Sequence, residues 1–241
     1  MKQMKRDGYI MTIKWIEMTE NHLFYFETAM KLYDQAFPIE VREPQEVFLK
    51  SLRLAKLNKP NPFHFLIGLE GDQLVSFATG HYFADVNTGF IVYIVTNPHV
   101  RSNGLGTKTL LKIEELLKKD AITAGNSSPR AMILETETQE MVHTQKEKED
   151  CIKRNRFFLR NKYEKYDEIN YLQPALHDEV EEIPLNLYIK NLHKTKLSKE
   201  EVTEIICAIY KEKYSLVNEI DKNVLNHCLK KMKIENVEYF V

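Results

Sequence analysis

The sequence is poor in cysteine and has no long apolar run. Among its 241 residues are only three cysteines, Cys151, Cys207 and Cys228, which are far apart and never form a Cys-x-x-Cys pair. This spacing is typical of reduced thiols in a cytoplasmic protein and argues against a structural zinc site. No apolar run approaches the ~20 residues of a membrane-spanning helix, and no signal-peptide core follows the basic N-terminus. We therefore expect a cytoplasmic protein with no metal site and no membrane contact.

An excess of charge of one sign is also missing. The 34 Lys and Arg residues nearly balance the 35 Asp and Glu residues, which leaves a formal net charge of −1. This balance gives no general attraction to nucleic acid or to an anionic membrane. The apolar content of 43 % is ordinary for a globular protein, and the length suffices for one full core plus an appendage, or for two small domains.

Hydrophobic periodicity predicts a mixed α/β order along most of the chain. The predicted strands cover residues 9–17, 63–70, 74–83, 90–96, 131–136, 166–172 and 185–189. The predicted helices cover residues 21–37, 46–57, 105–119 and 150–162, the last of them capped by Asp150. Two hairpin-like connections make the middle of the chain antiparallel, and the polar residues 138–150 are expected to form a mobile loop.

The C-terminal residues 192–241 show two further helical patterns. Ser198 and Glu201 have the spacing of a capping box before the first pattern, and Asp221 precedes the second. Amphipathic helices of this length are not stable alone in water. We therefore expect them to pack either on the rest of the chain, the favoured interpretation, or at a homodimer contact.

The most informative stretch is Arg101-Ser102-Asn103-Gly104-Leu105-Gly106, between a predicted strand and a predicted helix. Glycines at such a turn allow close approach of a ligand to the backbone, and the first turn of the helix offers unpaired N–H groups that favour a phosphate. A Walker motif would need Gly-Lys-Ser/Thr, whereas Thr107 and Lys108 follow Gly106. A dinucleotide fingerprint would need a third glycine in place of Thr109.

The order of residues from Val95 to Gly106 resembles the acetyl-CoA signature of the GNAT family of N-acetyltransferases. That signature reads Arg/Gln-x-x-Gly-x-Gly/Ala after a strand and a turn that contains proline, and Arg101, Gly104 and Gly106 match it. The resemblance implies the GNAT α/β fold for about residues 8–191, with a mixed, mostly antiparallel sheet that splays open between its fourth and fifth strands. Residues 192–241 would then form a C-terminal helical extension.

The resemblance also implies that acetyl-CoA is the cosubstrate and assigns residues to it. The pyrophosphate would lie on Arg101, Ser102, Asn103, Gly104, Leu105 and Gly106. The backbone of Ile94, Val95 and Thr96, at a bulge in the fourth strand, would hold the thioester.

Glu135 is the candidate general base, because it lies at the carboxyl end of the fifth strand, beside the expected opening. The alternative for Glu135 is a strand carboxylate that faces solvent or pairs with a lysine. Tyr93 is a second catalytic candidate and His81 a weaker one, although such sheet residues are more often packed or hydrogen-bonded. His99 is expected to be exposed, and a water chain could replace a protein base.

One family position departs from the expected pattern. Where the family often has a proton-donating tyrosine in Phe-Tyr-x-x-x-Gly-Phe, this sequence has Phe158, followed by Lys162 and Tyr163. Phenylalanine cannot donate a proton, and a residue at the Tyr163 position is usually packed.

Two functional interpretations therefore remain open. One is an acetyl-CoA-dependent N-acetyltransferase in which a primary amine of a small molecule or peptide attacks directly. The other is a degenerate domain that binds CoA or a protein partner. The acceptor would be bound by the loops around residues 37–44 and 136–150.

Overall fold

The computed structural model describes residues 12–57, 63–100, 104–142, 144–178 and 180–234, and these form one mixed sheet with helices on both faces. The strands are β1 (Lys14–Met18), β2 (Phe63–Glu70), β3 (Gln73–Phe83), β4 (Thr88–Thr96), β5 (Ala131–Glu137), β6 (Glu164–Tyr166), β7 (Leu172–Gln173) and β8 (Ile183–Asn191). The helices are α1 (Phe26–Ala36), α2 (Gln45–Leu57), α3 (Leu105–Thr123), α4 (Gln145–Arg160), α5 (Lys199–Ala208) and α6 (Lys222–Lys231). A π-helix, Ile209–Val217, continues directly from α5.

The sheet has the order β1-β2-β3-β4-β5-β8-β6, with β7 paired to the start of β8. Every described pair of neighbours is antiparallel except β4 and β5, which run parallel. Those two strands pair only where Thr88–Ile91 meets Ala131–Leu134, and beyond that point they separate. The expected splay between the fourth and fifth strands is therefore confirmed.

Alternation of side chains explains how the central strands bury both faces. Along β2, Phe65 and Ile67 pack against α1 and α2, whereas the intervening Leu66 packs with Leu110 and Ile113 of α3. Both faces of β2 and β3 are apolar because helices cover both.

The C-terminal helices pack on the sheet of the same chain. Ile205 and Ile206 of α5 and Leu225 of α6 are buried in one cluster with Ile133 of β5 and Leu187 of β8. This packing accounts for the apolar faces of both helices. The division of the chain into 8–191 and 192–241 stays a prediction, because this cluster draws on both parts.

Three elements differ from the sequence-based expectation. Residues 145–150 belong to α4, not to a loop, and Thr144 with Glu147 forms its capping box in place of the predicted cap Asp150. The run of charged residues there hid the helical periodicity. The predicted strand 166–172 is two short strands separated by a turn, and the π-helix after α5 was not predicted.

Candidate active site

The N-terminus of α3 is open to a ligand. The helix begins after Gly104, whose φ of 73° is in the left-handed region, and among the described residues no side chain caps its first turn. In contrast, side chains of Thr144, Ser198 and Asp221 cap α4, α5 and α6. The first N–H groups of α3 are therefore available to an anion. Three of the predicted phosphate-binding residues, Arg101, Ser102 and Asn103, lie outside the described residues.

The two motif glycines have different environments. A Cβ on Gly104 would meet no atom within 4 Å, so this glycine provides both the left-handed turn and free space beside it. A Cβ on Gly106 would lie 3.2 Å from the ring of Phe157. Gly106 thus allows close packing of α3 on α4, a role that the sequence did not predict for it.

The bulge in β4 lies earlier than expected. Thr79 pairs with Tyr93 and Gly80 pairs with Ile91, which leaves Val92 as the extra residue. The prediction that the bulge falls at Ile94, Val95 and Thr96 is therefore wrong, because those residues continue in regular register with β3. Their other edge faces the gap toward β5, where residues 92–96 have no described pairing. Backbone groups on that edge remain the predicted thioester contacts.

A cavity of about 40 Å³ lies where β4 and β5 separate. Its walls come from the α1–α2 connection, β4, β5, the segment around β7, β8 and the π-helix. The lining residues are Phe37, Val41, Glu43, Val92, Tyr93, Glu135, Thr136, Glu137, Gln173, Leu176, Leu185, Lys213 and Tyr214. Both catalytic candidates from the sequence, Glu135 and Tyr93, thus meet at one cavity. Of the two predicted acceptor loops, 37–44 contributes Phe37, Val41 and Glu43, and the described part of 136–150 contributes Thr136 and Glu137.

Glu135 is held in this cavity by hydroxyl groups. Tyr171 and Tyr214 both donate hydrogen bonds to its carboxylate, the latter at 3.0 and 3.1 Å. Burial raises the pKa of Glu135 to about 7, although the tyrosine hydrogen bonds and the Lys213 charge act in the opposite direction. Among the described residues, no Lys or Arg forms an ion pair with Glu135. The arrangement therefore favours the proton-accepting interpretation over a solvent-facing or lysine-paired strand carboxylate.

Tyr93 and His81 are packed residues. The Tyr93 hydroxyl donates to the Val41 carbonyl at 2.9 Å, and its ring packs on Tyr33 and Phe37. Burial raises the pKa of Tyr93 well above its usual value. This geometry favours the packed alternative, and catalysis by Tyr93 stays a prediction. His81 lies outside the cavity, and burial lowers its pKa well below the usual value.

Two further carboxylates at the cavity have cationic partners. Glu43 forms an ion pair with Lys213 of the π-helix, and Asn218 donates to the same carboxylate at 3.1 Å. Both side chains of this pair are only 2 % exposed. Glu137 pairs with Arg154 of α4 at 2.7 Å. Sequence reasoning missed Glu43 and Lys213, because 170 residues separate them and no local pattern connects them.

The segment in which Phe158 stands at the family's tyrosine position is packed into the core. Phe158 is buried against Tyr163 and Tyr188, and the Tyr163 hydroxyl donates to Glu114 at 2.7 Å. Lys190 binds the same carboxylate at 2.8 Å, so Tyr163 belongs to a buried polar cluster with α3 and β8. Lys162 has a φ of 69°, which explains why a glycine is favoured there.

Two negative findings concern the described part of the chain. Within it, no group of His, Cys, Asp and Glu side chains is arranged to hold a metal ion. No helix among these residues is both long enough and apolar enough to cross a membrane.

Comparisons with known proteins agree with this architecture. Residues 26–130 match the family model described as the acetyltransferase (GNAT) family. No curated protein sequence matches the chain.

Solved structures share the fold at low sequence identity. A GNAT-family protein of Bacteroides thetaiotaomicron has a TM-score of 0.62 and 20 % identity, covering 86 % of this chain and 99 % of its own. Ard1 of Thermoplasma volcanium has a TM-score of 0.52 and 11 % identity, covering 76 % and 99 %. YncA of Salmonella typhimurium, solved with its cofactor acetyl-CoA, has a TM-score of 0.50 and 13 % identity, covering 78 % and 98 %. The match over residues 26–130 and the shared architecture show that this chain has the GNAT fold.

Proposed function

We propose that the chain is an N-acetyltransferase that transfers the acetyl group of acetyl-CoA to a primary amine by direct attack. The observation that carries this proposal is Glu135, a carboxylate with a pKa of about 7 inside a cavity at the splayed ends of β4 and β5. A base with such a pKa is suited to accept a proton near neutral pH. YncA, a solved structure with the same fold, contains acetyl-CoA as its cofactor.

The residues beside the cavity fit the proposed cosubstrate. The uncapped first turn of α3 and the free space beside Gly104 suit a pyrophosphate. Together with Arg101, Ser102 and Asn103, the backbone of Gly104, Leu105 and Gly106 would bind it. The open edge of β4 at Ile94, Val95 and Thr96 would orient the acyl end through backbone groups. Acetyl-CoA supplies an activated acetyl thioester.

Glu135 then acts on the amine. An amine arrives as an ammonium ion and must lose a proton before its nitrogen can attack, and the Glu135 carboxylate accepts that proton. One carbon–nitrogen bond forms, the carbon–sulfur bond breaks, and the sulfur leaves as a thiolate. The nitrogen then loses its second proton, which the thiolate takes up through water, so that the products are a neutral amide and the free thiol. An ordinary thiol has a pKa near 8.5, so a thiolate is a good leaving group without a dedicated acid. Because the leaving thiolate needs no proton from a protein side chain, the step is compatible with phenylalanine at position 158.

Release of free thiol from acetyl-CoA, measured with a broad panel of amines, tests the proposal. We expect amine-dependent release, with the acetylated amine found by mass spectrometry in equal amount. The buried Phe158 favours one competitor, a domain that binds CoA or a protein partner without catalysis. Tight binding of acetyl-CoA in calorimetry, with no thiol release for any amine, would select that competitor.

A further inference from the structure

One of the three carboxylates that line the cavity has no described ion-pair partner. Three glutamates line it, and two of them have positive partners, Lys213 for Glu43 and Arg154 for Glu137. Among the described residues, Glu135 has hydrogen bonds from two neutral tyrosine hydroxyls and no ion pair. A partly buried carboxylate without an ion-pair partner favours an incoming positive charge. The arrangement of charges therefore has room for one ammonium group, next to Glu135.

The π-helix supplies two of the groups that create this arrangement. Lys213 and Tyr214 are adjacent in the π-helix, and they bind Glu43 and Glu135 respectively. A π-helical turn is rare and often occurs at functional sites. Because Lys213 already binds Glu43, it does not offer a free cation to a carboxylate on the acceptor. An acceptor with a negative charge beside its amine would be opposed by Glu135.

The size of the cavity limits the shape of the amine. The cavity has a volume of about 40 Å³, and apolar side chains of Val92, Leu176 and Leu185 form part of its lining. A single water needs at least ~10–15 Å³ by this kind of measure. The space thus fits an amino group with its first methylene, whereas a branch on that carbon would press on packed walls.

We propose that Lys213 and Tyr214 complete an acceptor site for an unbranched primary amine that has no negative charge near its amino group. This inference rests on the proposed acetyl transfer and narrows its substrate. It disfavours the α-amino groups of amino acids and peptides, since these are branched at the carbon that carries the nitrogen. Glu43 and Lys213 act as positioning residues, because they set the charge of the site without touching the reacting atoms.

The first experiment compares wild-type acetylation of n-butylamine, sec-butylamine, alanine and a short peptide with a free N-terminus. We expect kcat/KM for n-butylamine to exceed that for its branched isomer by ~10–200-fold, the discrimination typical of one methyl group in a tight pocket. Equal rates for branched and unbranched amines, or a preference for the amino acid, would overturn this inference while leaving acetyl transfer intact. No turnover with any amine would instead overturn the proposed function and the inference with it.

The second experiment changes the charge of the site. Lys213→Met leaves Glu43 without its cation, so we expect the ratio of kcat/KM for 1,4-diaminobutane over n-butylamine to rise by about tenfold. The double variant Glu43→Gln/Lys213→Met removes both charges, and its ratio should return to the wild-type value. If the single variant fails to fold, the double variant still tests the inference, because its ratio must equal that of the wild type.

Lys190→Met is the matched control, because Lys190 forms a similar buried pair with Glu114 outside the cavity. It should lower stability and leave the ratio unchanged. An unchanged ratio in Lys213→Met, a changed ratio in the double variant, or an equal change in Lys190→Met, would show that Lys213 does not set acceptor preference.

Discussion

The two halves of the cleft are built in opposite ways. The coenzyme half comes from one continuous stretch, in which β4 leads through the Gly104 turn into α3, and it offers mainly backbone groups. The proposed acceptor half brings together Glu43, Glu135, Tyr171 and Lys213, and it offers buried or partly buried ionisable side chains. Under the proposed function, a local motif would serve acetyl-CoA, whereas long-range packing would make the acceptor site. If this contrast is right, changes in one half should leave the other half working.

The largest effect is expected from cutting the chain after Asn191. This removes α5, the π-helix and α6, whose residues Ile205, Ile206, Leu225 and Leu229 are buried. Burial of each of these side chains contributes ~1.5–3 kcal/mol to the free energy of unfolding, and the cut removes that contribution. Glu43 and Glu135 would also lose their partners in the π-helix, Lys213 and Tyr214. We expect loss of cooperative folding in thermal and denaturant unfolding.

A milder pair of variants sharpens the same point. Ile206→Ala should lower the free energy of unfolding by ~2–5 kcal/mol, whereas Val224→Ala, at a position 39 % exposed, should change it little. A truncated protein with full thermal stability would show that the acceptor half does not depend on the C-terminal helices.

The next effect concerns the coenzyme half alone. Gly104→Val places a side chain in the open space beside the first turn of α3, where the pyrophosphate would lie. Loss of two charge-assisted hydrogen bonds of ~1.5–3 kcal/mol each would weaken acetyl-CoA binding by about 10²-fold or more. Titration calorimetry measures this directly.

Gly125→Val is the matched control for backbone strain. Gly125 also has a positive φ, 90°, and open space beside it, but it follows the other end of α3. Both variants should lose stability, and only Gly104→Val should lose affinity. Equal acetyl-CoA affinity in the two variants would mean that the phosphate site has been misplaced.

A smaller effect is expected outside both halves, at His64. Its ring nitrogens lie 2.5 Å from Glu17 and 2.5 Å from Asp120, and so connect β1, β2 and α3. Burial lowers the pKa of His64, but the hydrogen bonds that its ring donates to Asp120 and Glu17 outweigh this effect and raise the pKa to about 9. The protonated ring therefore stabilises the fold below its ordinary pKa of 6.5, and this contribution disappears as pH rises through about 9.

His64→Gln should accordingly lower the free energy of unfolding by ~1–3 kcal/mol near pH 6, and by clearly less near pH 10. Denaturant unfolding at both pH values checks this. Because Glu17 is partly exposed, the Asp120 contact should contribute most. The same loss at both pH values would show that the ring acts through packing and not through its charge.

The smallest effect is a gain in stability at Lys162. This residue has a φ of 69°, a conformation that costs a side chain about 1 kcal/mol and costs glycine almost nothing. Lys162→Gly should raise the free energy of unfolding by ~0.5–1 kcal/mol, and Lys162→Ala should not. Thermal unfolding of both variants measures the difference. A fall in stability with glycine would show that the lysine side chain contributes more than its backbone strain removes.

These contrasts explain what the sequence could predict. The Gly104 turn and the caps Ser198 and Asp221 were predictable, because each depends on residues a few positions apart. The splay after β4 was expected only from the resemblance to the GNAT family. Glu135 could be selected because it ends a strand beside the expected opening. The bulge at Val92 could not be predicted, because register depends on the pairing of β3 with β4 and not on a local signal.

The partners of Glu135 were beyond sequence reasoning for the same reason. Tyr171 lies in an irregular segment before β7, and Tyr214 lies in a π-helix that has no distinctive sequence period. Their hydroxyls reach Glu135 only because α5 and the π-helix pack across β5 and β8. The side chains that tune the proposed base are thus fixed by tertiary packing.

The central claim is that Glu135 accepts the proton of the acceptor amine, and the pH dependence of kcat/KM tests it most directly. For the wild type, kcat/KM should rise through an apparent pKa near 7, as Glu135 loses its proton, and then level off. Glu135→Gln should reduce kcat/KM by ~10²–10⁴ at neutral pH, with unchanged affinity for acetyl-CoA. The deficit should shrink as pH rises, because more of the amine then arrives neutral. Coincident profiles for wild type and variant would contradict the claim and favour deprotonation through water.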